Sequence, residues 1–375
     1  MWGDLIIAFL LAFITAFMIT PKTIKIAKKL GAVDNPKDER RINKVAMPRL
    51  GGVAVVCGFL VSITYLLISL TLENQLNLQD GNYHLKLCGF FIGMGIIVIT
   101  CFIDDVKDLS AITKLIAQII AASIVVAAGI RIDLANIEFL NQFNVSINFL
   151  NIMSIIITIG WIVGITNAIN LIDGLDGLSS GISIISCVSM LIIFVLNESP
   201  LIAIVMITSL IGALTGFLPY NINPAKTFIG DTGSNFLGFC LSIVSILGVA
   251  KTYTAFVVVL PIIVLGLPIF DTIFAIIRRI IKNKSLKGVM QSDKGHLHHK
   301  LLNRGFTQKE SVMILYCISA SLGMFAIILL ESGIGKAMSF LLIVIAVFAL
   351  GLREVFEELK TEETESSGAD DVEKK

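Results

Sequence analysis

The chain has 375 residues, of which 55% are hydrophobic and only 15% charged, and its mean hydropathy is +0.88. A soluble protein of this size carries about 25% charged residues, and charge is what a membrane span excludes. The composition therefore excludes an ordinary soluble enzyme and predicts an all-α polytopic integral membrane protein, while the net charge of +1 hides a strong asymmetry along the chain.

A bilayer-crossing helix needs about 20 mostly apolar residues. Eleven stretches qualify: 3–20, 50–70, 86–103, 113–130, 150–167, 180–197, 200–219, 235–251, 253–277, 311–330 and 335–352. Helices are expected because hydrocarbon offers the backbone no other hydrogen-bond partner, and the alternation typical of barrel strands is absent. The first stretch lacks a basic n-region and a small-residue cleavage site, so it is expected to be a retained helix. Of the 29 lysines and arginines, 24 fall on one side of these spans and four on the other. Lys114 stands at the mouth of the fourth. The positive-inside rule predicts a cytoplasmic rich side, an outside N-terminus and a cytoplasmic C-terminus. The expected organisation is one transmembrane domain over 1–352, with cytoplasmic loops at 21–50, 103–113, 167–180, 220–235 and 278–310. The acidic, Glu-, Ser- and Thr-rich tail 353–375 cannot bury a core and is expected to be disordered. The six cysteines lie in or beside apolar runs with no CxxC pair, and read as small hydrophobes.

Ionisable groups at membrane depth are costly and tend to serve function. Here they cluster at the predicted cytoplasmic span ends. The first-loop segment Asp34-Asn35-Pro36, with Arg40, Arg41 and then Pro48-Arg49-Leu50-Gly51-Gly52, reads as a juxtamembrane basic patch or as arginines suited to bidentate phosphate contact. Asp104-Asp105-Val106-Lys107-Asp108 ends the third span. On a continued helix Asp104 and Asp108 share a face, and the adjacent carboxylates need a cation, either Lys107 or a divalent metal. The alternative is a solvated helix end, which the helix dipole disfavours.

Asn167 through Leu178 places Asn167, Asn170, Asp173 and Asp176 every third position, spread over about half of a helix circumference. Gly174 and Gly177 would loosen that helix and let a ligand approach the backbone. Phe228 through Asn235 sets Asp231 between glycines at the start of the eighth span, where free N–H groups suit a phosphate or where ordinary capping operates. Asp293-Lys294-Gly295-His296-Leu297-His298-His299 holds three of the four histidines, read as phosphate contacts rather than a zinc site. Carboxylates for a divalent metal and basic groups and glycine turns for phosphates, all on one face, suggest phosphoryl transfer with Mg²⁺.

These motifs, in this order over roughly residues 1–330, resemble the polyprenyl-phosphate N-acetylhexosamine-1-phosphate transferase family. The His-x-His-His form is similar to the branch that initiates teichoic acid, enterobacterial common antigen or O-antigen synthesis. The resemblance implies a multi-pass protein of the bacterial plasma membrane with its active site on the cytoplasmic face. The implied reaction transfers GlcNAc-1-phosphate from UDP-GlcNAc to undecaprenyl phosphate, releasing UMP and requiring Mg²⁺, with Mn²⁺ as a substitute. UDP-GalNAc or UDP-MurNAc-pentapeptide as donor would fit the same motifs. It further implies Asp104, Asp105, Asp173, Asp176 and Asp231 as the catalytic set, with Asp231 and Asp105 as metal ligands. Asn170, Arg49, Arg278, Arg279, His296, His298 and His299 would contact substrate. The implied partners are the two substrates and the bilayer, with no nucleic acid, and members of the family often form homodimers. One departure is Asn43, near a position where relatives often carry histidine; asparagine cannot carry charge. A direct attack by the lipid phosphate and a two-step route through an aspartyl-phosphate both fit.

The rival class is a secondary transporter, which places ionisable groups near the midplane and often shows repeated halves. Here the groups sit at span ends and no repeat is found. A scaffold would gain nothing from five polar clusters on one face.

Overall fold

The structure, a computed structural model, describes residues 2–34, 46–73, 82–137, 146–249, 255–283 and 295–349. Asn35, Pro36, Arg40, Arg41, Asn43, Asp293, Lys294 and the tail 353–375 lie outside the described residues.

Thirteen α-helices are described: α1 (Trp2–Leu30), α2 (Gly51–Leu72), α3 (Tyr83–Lys107), α4 (Ala111–Ala127), α5 (Ile147–Ile172), α6 (Leu178–Leu196), α7 (Leu201–Asn221), α8 (Gly230–Val249), α9 (Ala255–Val264), α10 (Gly266–Asn283), α11 (Leu297–Leu302), α12 (Gln308–Ser332) and α13 (Ile334–Ala349). Eight of them, α1 to α3, α5 to α8 and α12, are long and apolar enough to cross a bilayer, and α4 and α13 are shorter apolar helices. The chain is a multi-pass membrane protein. Among the described residues, the one sheet is an antiparallel pair of two-residue strands, β1 (Val33–Asp34) and β2 (Met47–Pro48), with Val33 opposite Pro48.

The expected single span at 253–277 is corrected to two helices, α9 and α10, broken at Leu265. Pro268 lacks the N–H that would bond the Val264 carbonyl. The Ser186 hydroxyl of α6 faces that carbonyl instead, at 3.5 Å. The loop 278–310 also contains the short helix α11, which no apolar pattern announced.

α8 is the axis of the molecule, and all of its apolar window is buried. It packs against α2, α3, α5 and α7. A helix apolar on every side belongs in a core. Around it, α1, α2 and α7 pack mutually, α3 pairs with α4, and α12 lies on α6. Close approach rests on small residues, because lipid tails supply no hydrophobic drive between helices. Ala8, Ala12 and Ala16 are fully buried along one stripe of α1, and Gly212 and Gly216 of α7 meet the backbone of Phe9 and Phe13. The outward faces carry Ile6, Leu10, Ile92, Ile99, Ile152 and Ile156, as lipid contact requires.

Candidate functional site

The site forms where α3, α4, α5 and α8 converge. α8 starts at Gly230, whose φ of +70° suits glycine and whose Cα lies against the Arg49 carbonyl. The Pro48–Gly52 segment holds that start in place with backbone bonds. The Phe228 N–H donates to the Pro48 carbonyl at 2.8 Å, and the Gly51 and Gly52 N–H groups donate to Phe228 and Ile229 carbonyls at 3.0 and 2.7 Å. A Cβ on Gly52 would overlap the backbone of Gly233, so the paired glycines let α2 touch α8 directly.

Asp105, 2% exposed, closes the helix start from α3. Its Oδ1 accepts from the Asp231 N–H at 2.9 Å, and its Oδ2 accepts from the Thr232 N–H and hydroxyl at 2.9 and 2.6 Å. The free N–H groups expected to cradle a phosphate are therefore bonded to a carboxylate, which satisfies the same orphan donors.

Asp104 points to the other side. Its Oδ1 accepts from the Leu109 N–H at 2.6 Å, and its Oδ2 lies 2.9 Å from Lys114 Nζ. The same Nζ lies 2.6 Å from Asp231 Oδ2. The cation that offsets the carboxylates is thus Lys114, not Lys107. Asn170 Nδ2 donates to Asp231 Oδ1 at 3.0 Å and to Ser234 Oγ at 2.9 Å. The Asp231 side chain remains 29% exposed, so a ligand can reach it. Behind it, Asn167 donates to Gln118 at 2.6 Å and Gln118 to Asn235 at 2.8 Å.

The expected helical continuation beyond Asp104 is corrected. α3 ends at Lys107, and Asp108 takes a left-handed conformation with φ 47°. Asp108 is turned into solvent and pairs with Arg49 at 3.1 Å, and Arg49 also donates to the Asp105 carbonyl at 3.2 Å. The expected helix over Asn167–Asp176 likewise stops at Ile172, and Gly174 to Gly177 make a turn into α6. Within it Asp173 accepts from Ser179 Oγ at 2.6 Å. Burial pushes the Asp173 carboxyl up to about 7 against that hydrogen bond, and the carboxylates of Asp231, Asp105 and Asp176 add to the shift. Asp176, 4% exposed, accepts from Asn223 Nδ2 at 2.9 Å and the Ala225 N–H at 3.1 Å, tying the turn to the α7–α8 connection.

The histidine motif starts α11. His298 is 2% exposed and its ring lies on Gly174, while His296 and His298 rings are parallel at 5.8 Å. Burial pushes His298 down to about 4, with charge on His299 and His296 acting in the same direction. That direction favours the neutral ring at this position. Arg278 donates to the Gly295 carbonyl at 2.6 Å and lines an open cavity of about 370 Å³ with Phe274, Ile277, Ile281, Lys282 and Lys300. The structure places Arg279 beside Arg278 on α10 and His299 beside His298 on α11, with those two rings 4.3 Å apart.

Sequence reasoning missed Lys114, Gln118 and Asp271 as members of polar networks. Each is a polar residue inside an apolar run, and the cost of such burial was the available signal.

Among the described residues, no three His, Cys, Asp or Glu side chains converge to hold a metal by themselves. The donor chemistry nevertheless fits Mg²⁺, which takes hard oxygen ligands and completes its shell with water and substrate phosphates around one or two carboxylates. Asp231 offers an accessible carboxylate with an amide beside it. Asp105, by contrast, spends both oxygens on the α8 start.

Residues 87–249 match the model of glycosyl transferase family 4. A probable undecaprenyl-phosphate N-acetylglucosaminyl 1-phosphate transferase of Bacillus subtilis (strain 168) is 37% identical over 353 residues, covering 94% of this chain and 92% of the relative. A decaprenyl-phosphate N-acetylglucosaminephosphotransferase of Mycobacterium tuberculosis (strain ATCC 25618 / H37Rv) is 31% identical over 336 residues, covering 84% and 79%. A phospho-N-acetylmuramoyl-pentapeptide-transferase of Staphylococcus epidermidis (strain ATCC 12228 / FDA PCI 1200) is 29% identical over 256 residues, covering 64% and 74%.

Proposed function

The chain belongs to glycosyl transferase family 4, and on that premise we propose that it transfers GlcNAc-1-phosphate from UDP-GlcNAc to undecaprenyl phosphate. The products are undecaprenyl-diphosphate-GlcNAc and UMP, and the reaction initiates a cell-envelope glycopolymer of the teichoic acid or O-antigen type. The observation that carries this reading is the convergence of Asp104, Lys114, Asn170 and Asp231 from four helices at one end of the bundle, with Asp231 open to a ligand. The 37% relative, matched over nearly its whole length, supports GlcNAc as the sugar.

An oxygen of the lipid phosphate attacks the sugar-linked phosphorus of the donor. The bond from that phosphorus to the bridging oxygen breaks, and UMP leaves with the electron pair. A phosphate monoester has its second pKa near 6, so the nucleophile is already mostly dianionic at neutral pH and needs no strong base. The task is to hold several negative charges together. Lys114 supplies a fixed positive charge between two carboxylates. Mg²⁺, held by Asp231 beside Asn170, would neutralise charge on the diphosphate when bound. Asp104 orients the acceptor phosphate. Asp173 and the histidine motif line the nucleotide side. Asp105 and Asp176 serve by fixing the α8 start and the turn, not by touching substrate. With α9 and α10 counted as one crossing, the N-terminus lies outside and the reacting end faces the cytoplasm, in keeping with the lysine and arginine asymmetry.

The test is product identification. Purified protein in nanodiscs is supplied with undecaprenyl phosphate, Mg²⁺ and, in parallel, UDP-GlcNAc, UDP-GalNAc or UDP-MurNAc-pentapeptide. Mass spectrometry of the lipid fraction should find the GlcNAc diphosphate product in clear excess. Equal or greater product from another donor would move the assignment to that sugar.

A further inference from the structure

The histidine motif is held by a carboxylate that lies outside all five polar segments. Asp271 stands in α10, 4% exposed, and its Oδ2 lies 2.8 Å from His296 Nδ1. Its Oδ1 accepts from the Leu297 N–H at 2.8 Å. α11 begins at that N–H, and His296 at its cap position makes no side-chain capping bond of its own. One carboxylate from a neighbouring helix thus performs two tasks, capping the start of α11 and orienting the ring. Seven residues on, along the same face of α10, Arg278 donates to the Gly295 carbonyl at 2.6 Å. Residues 295–297 are pinned to α10 at two points. From there the chain of contact continues through the parallel His296 and His298 rings to Gly174, whose neighbour is Asp173.

We propose that Asp271 is a positioning residue, which holds His296 and the start of α11 so that His298 stays seated on the Asp173–Asp176 turn of the reaction site. This rests on the transfer reaction proposed above. A carboxylate accepting at Nδ1 sets which ring nitrogen carries the proton, leaving the neutral ring's Nε2 as an acceptor. An amide at 271 can keep its oxygen on the Leu297 N–H, but it then presents an NH₂ donor to Nδ1 and so favours the opposite ring tautomer. Alanine serves neither.

The experiment uses the full chain in nanodiscs with two readouts, amide hydrogen exchange and steady-state kinetics, for wild type, Asp271→Asn and Asp271→Ala. Asp271→Ala should raise exchange in the Leu297–Leu302 segment while leaving α3, α5 and α8 unchanged. It should lower kcat/KM for UDP-GlcNAc by about tenfold or more, with KM for undecaprenyl phosphate unaltered. Asp271→Asn should fall between wild type and alanine in both readouts, and keeps the test available if the alanine variant fails to fold. Unchanged exchange at Leu297–Leu302 in a folded variant would overturn the anchoring. Faster exchange with full kcat/KM per folded molecule would reduce Asp271 to a stabilising group and overturn its positioning role. A wild type that releases no UMP from any of the donors would instead overturn the reaction, and the exchange result would still decide whether Asp271 anchors the motif.

Discussion

Both ends of α8 carry polar side chains in a buried helix, yet they behave differently. Toward the C-terminal end, Ser242 and Ser245 donate back to carbonyls of their own helix at 2.7 Å each, and Trp161 Nε1 reaches Ser245 Oγ at 3.1 Å. These are neutral hydroxyls satisfied locally, which a membrane helix tolerates at little cost. At the N-terminal end the groups are ionisable and their partners come from three other helices: Asp105 from α3, Lys114 from α4 and Asn170 from α5. Polarity alone does not mark a site in this fold. Charge that needs tertiary partners, and that remains partly open to a ligand, does.

The largest expected effect tests the open carboxylate. Asp231→Asn keeps an acceptor for Asn170 and removes the charge, and should lower kcat by a factor on the order of 10²–10³ in protein of normal thermal stability. Lys114→Met leaves two carboxylates facing each other without their shared cation. A loss of about tenfold or more is expected, and a fully active variant would separate the lysine from the reaction. Asp105→Ala addresses the closed carboxylate. It strands the Asp231 and Thr232 N–H groups and the Thr232 hydroxyl, so at least about 3 kcal/mol of stability should be lost, read as a lowered Tm in detergent. If activity fell with no loss of stability, Asp105 would belong with the reacting groups.

A smaller effect concerns pH. Asp173, pushed up to about 7, is half-protonated at neutral pH, and its charged form is the one expected to act. The kcat/KM for UDP-GlcNAc should rise as pH climbs through about 7, and Asp173→Asn should flatten that rise. The folded-state value lies above the unfolded 3.8, so the folded chain binds the extra proton between the two values. Stability from this group is therefore present at the acid side and is lost as pH rises toward 7. The smallest effect is expected at the far end of α8, where Ser245→Ala should leave kcat/KM within about twofold.

Much of this fold is legible in the amino-acid sequence. Long apolar runs announce the helices because hydrocarbon leaves the backbone no alternative, and the family resemblance rests on motifs that the fold brings to one end of the bundle. The division of labour among the carboxylates is not legible there. Asp104 and Asp105 are neighbours along the chain, and only the approach of α8 decides that one faces Lys114 and the other closes a helix start. The arginines around Pro48–Gly52 suggest a basic patch or a phosphate contact, and nothing in the segment announces that the Gly51 and Gly52 N–H groups bond to the Phe228 and Ile229 carbonyls. Lys114 and Asp271 sit in apolar runs with their partners 117 and 25 residues away. The break at Leu265 is readable from Pro268, since a proline removes the hydrogen bond that would carry the helix through.

The most direct test of the central claim is UMP release by purified full-length protein with undecaprenyl phosphate, Mg²⁺ and UDP-GlcNAc, measured beside Asp231→Asn. The account predicts release that requires the lipid and the metal together and is lost in the variant. Release that continues without the lipid, or at the wild-type rate in folded Asp231→Asn, would contradict it.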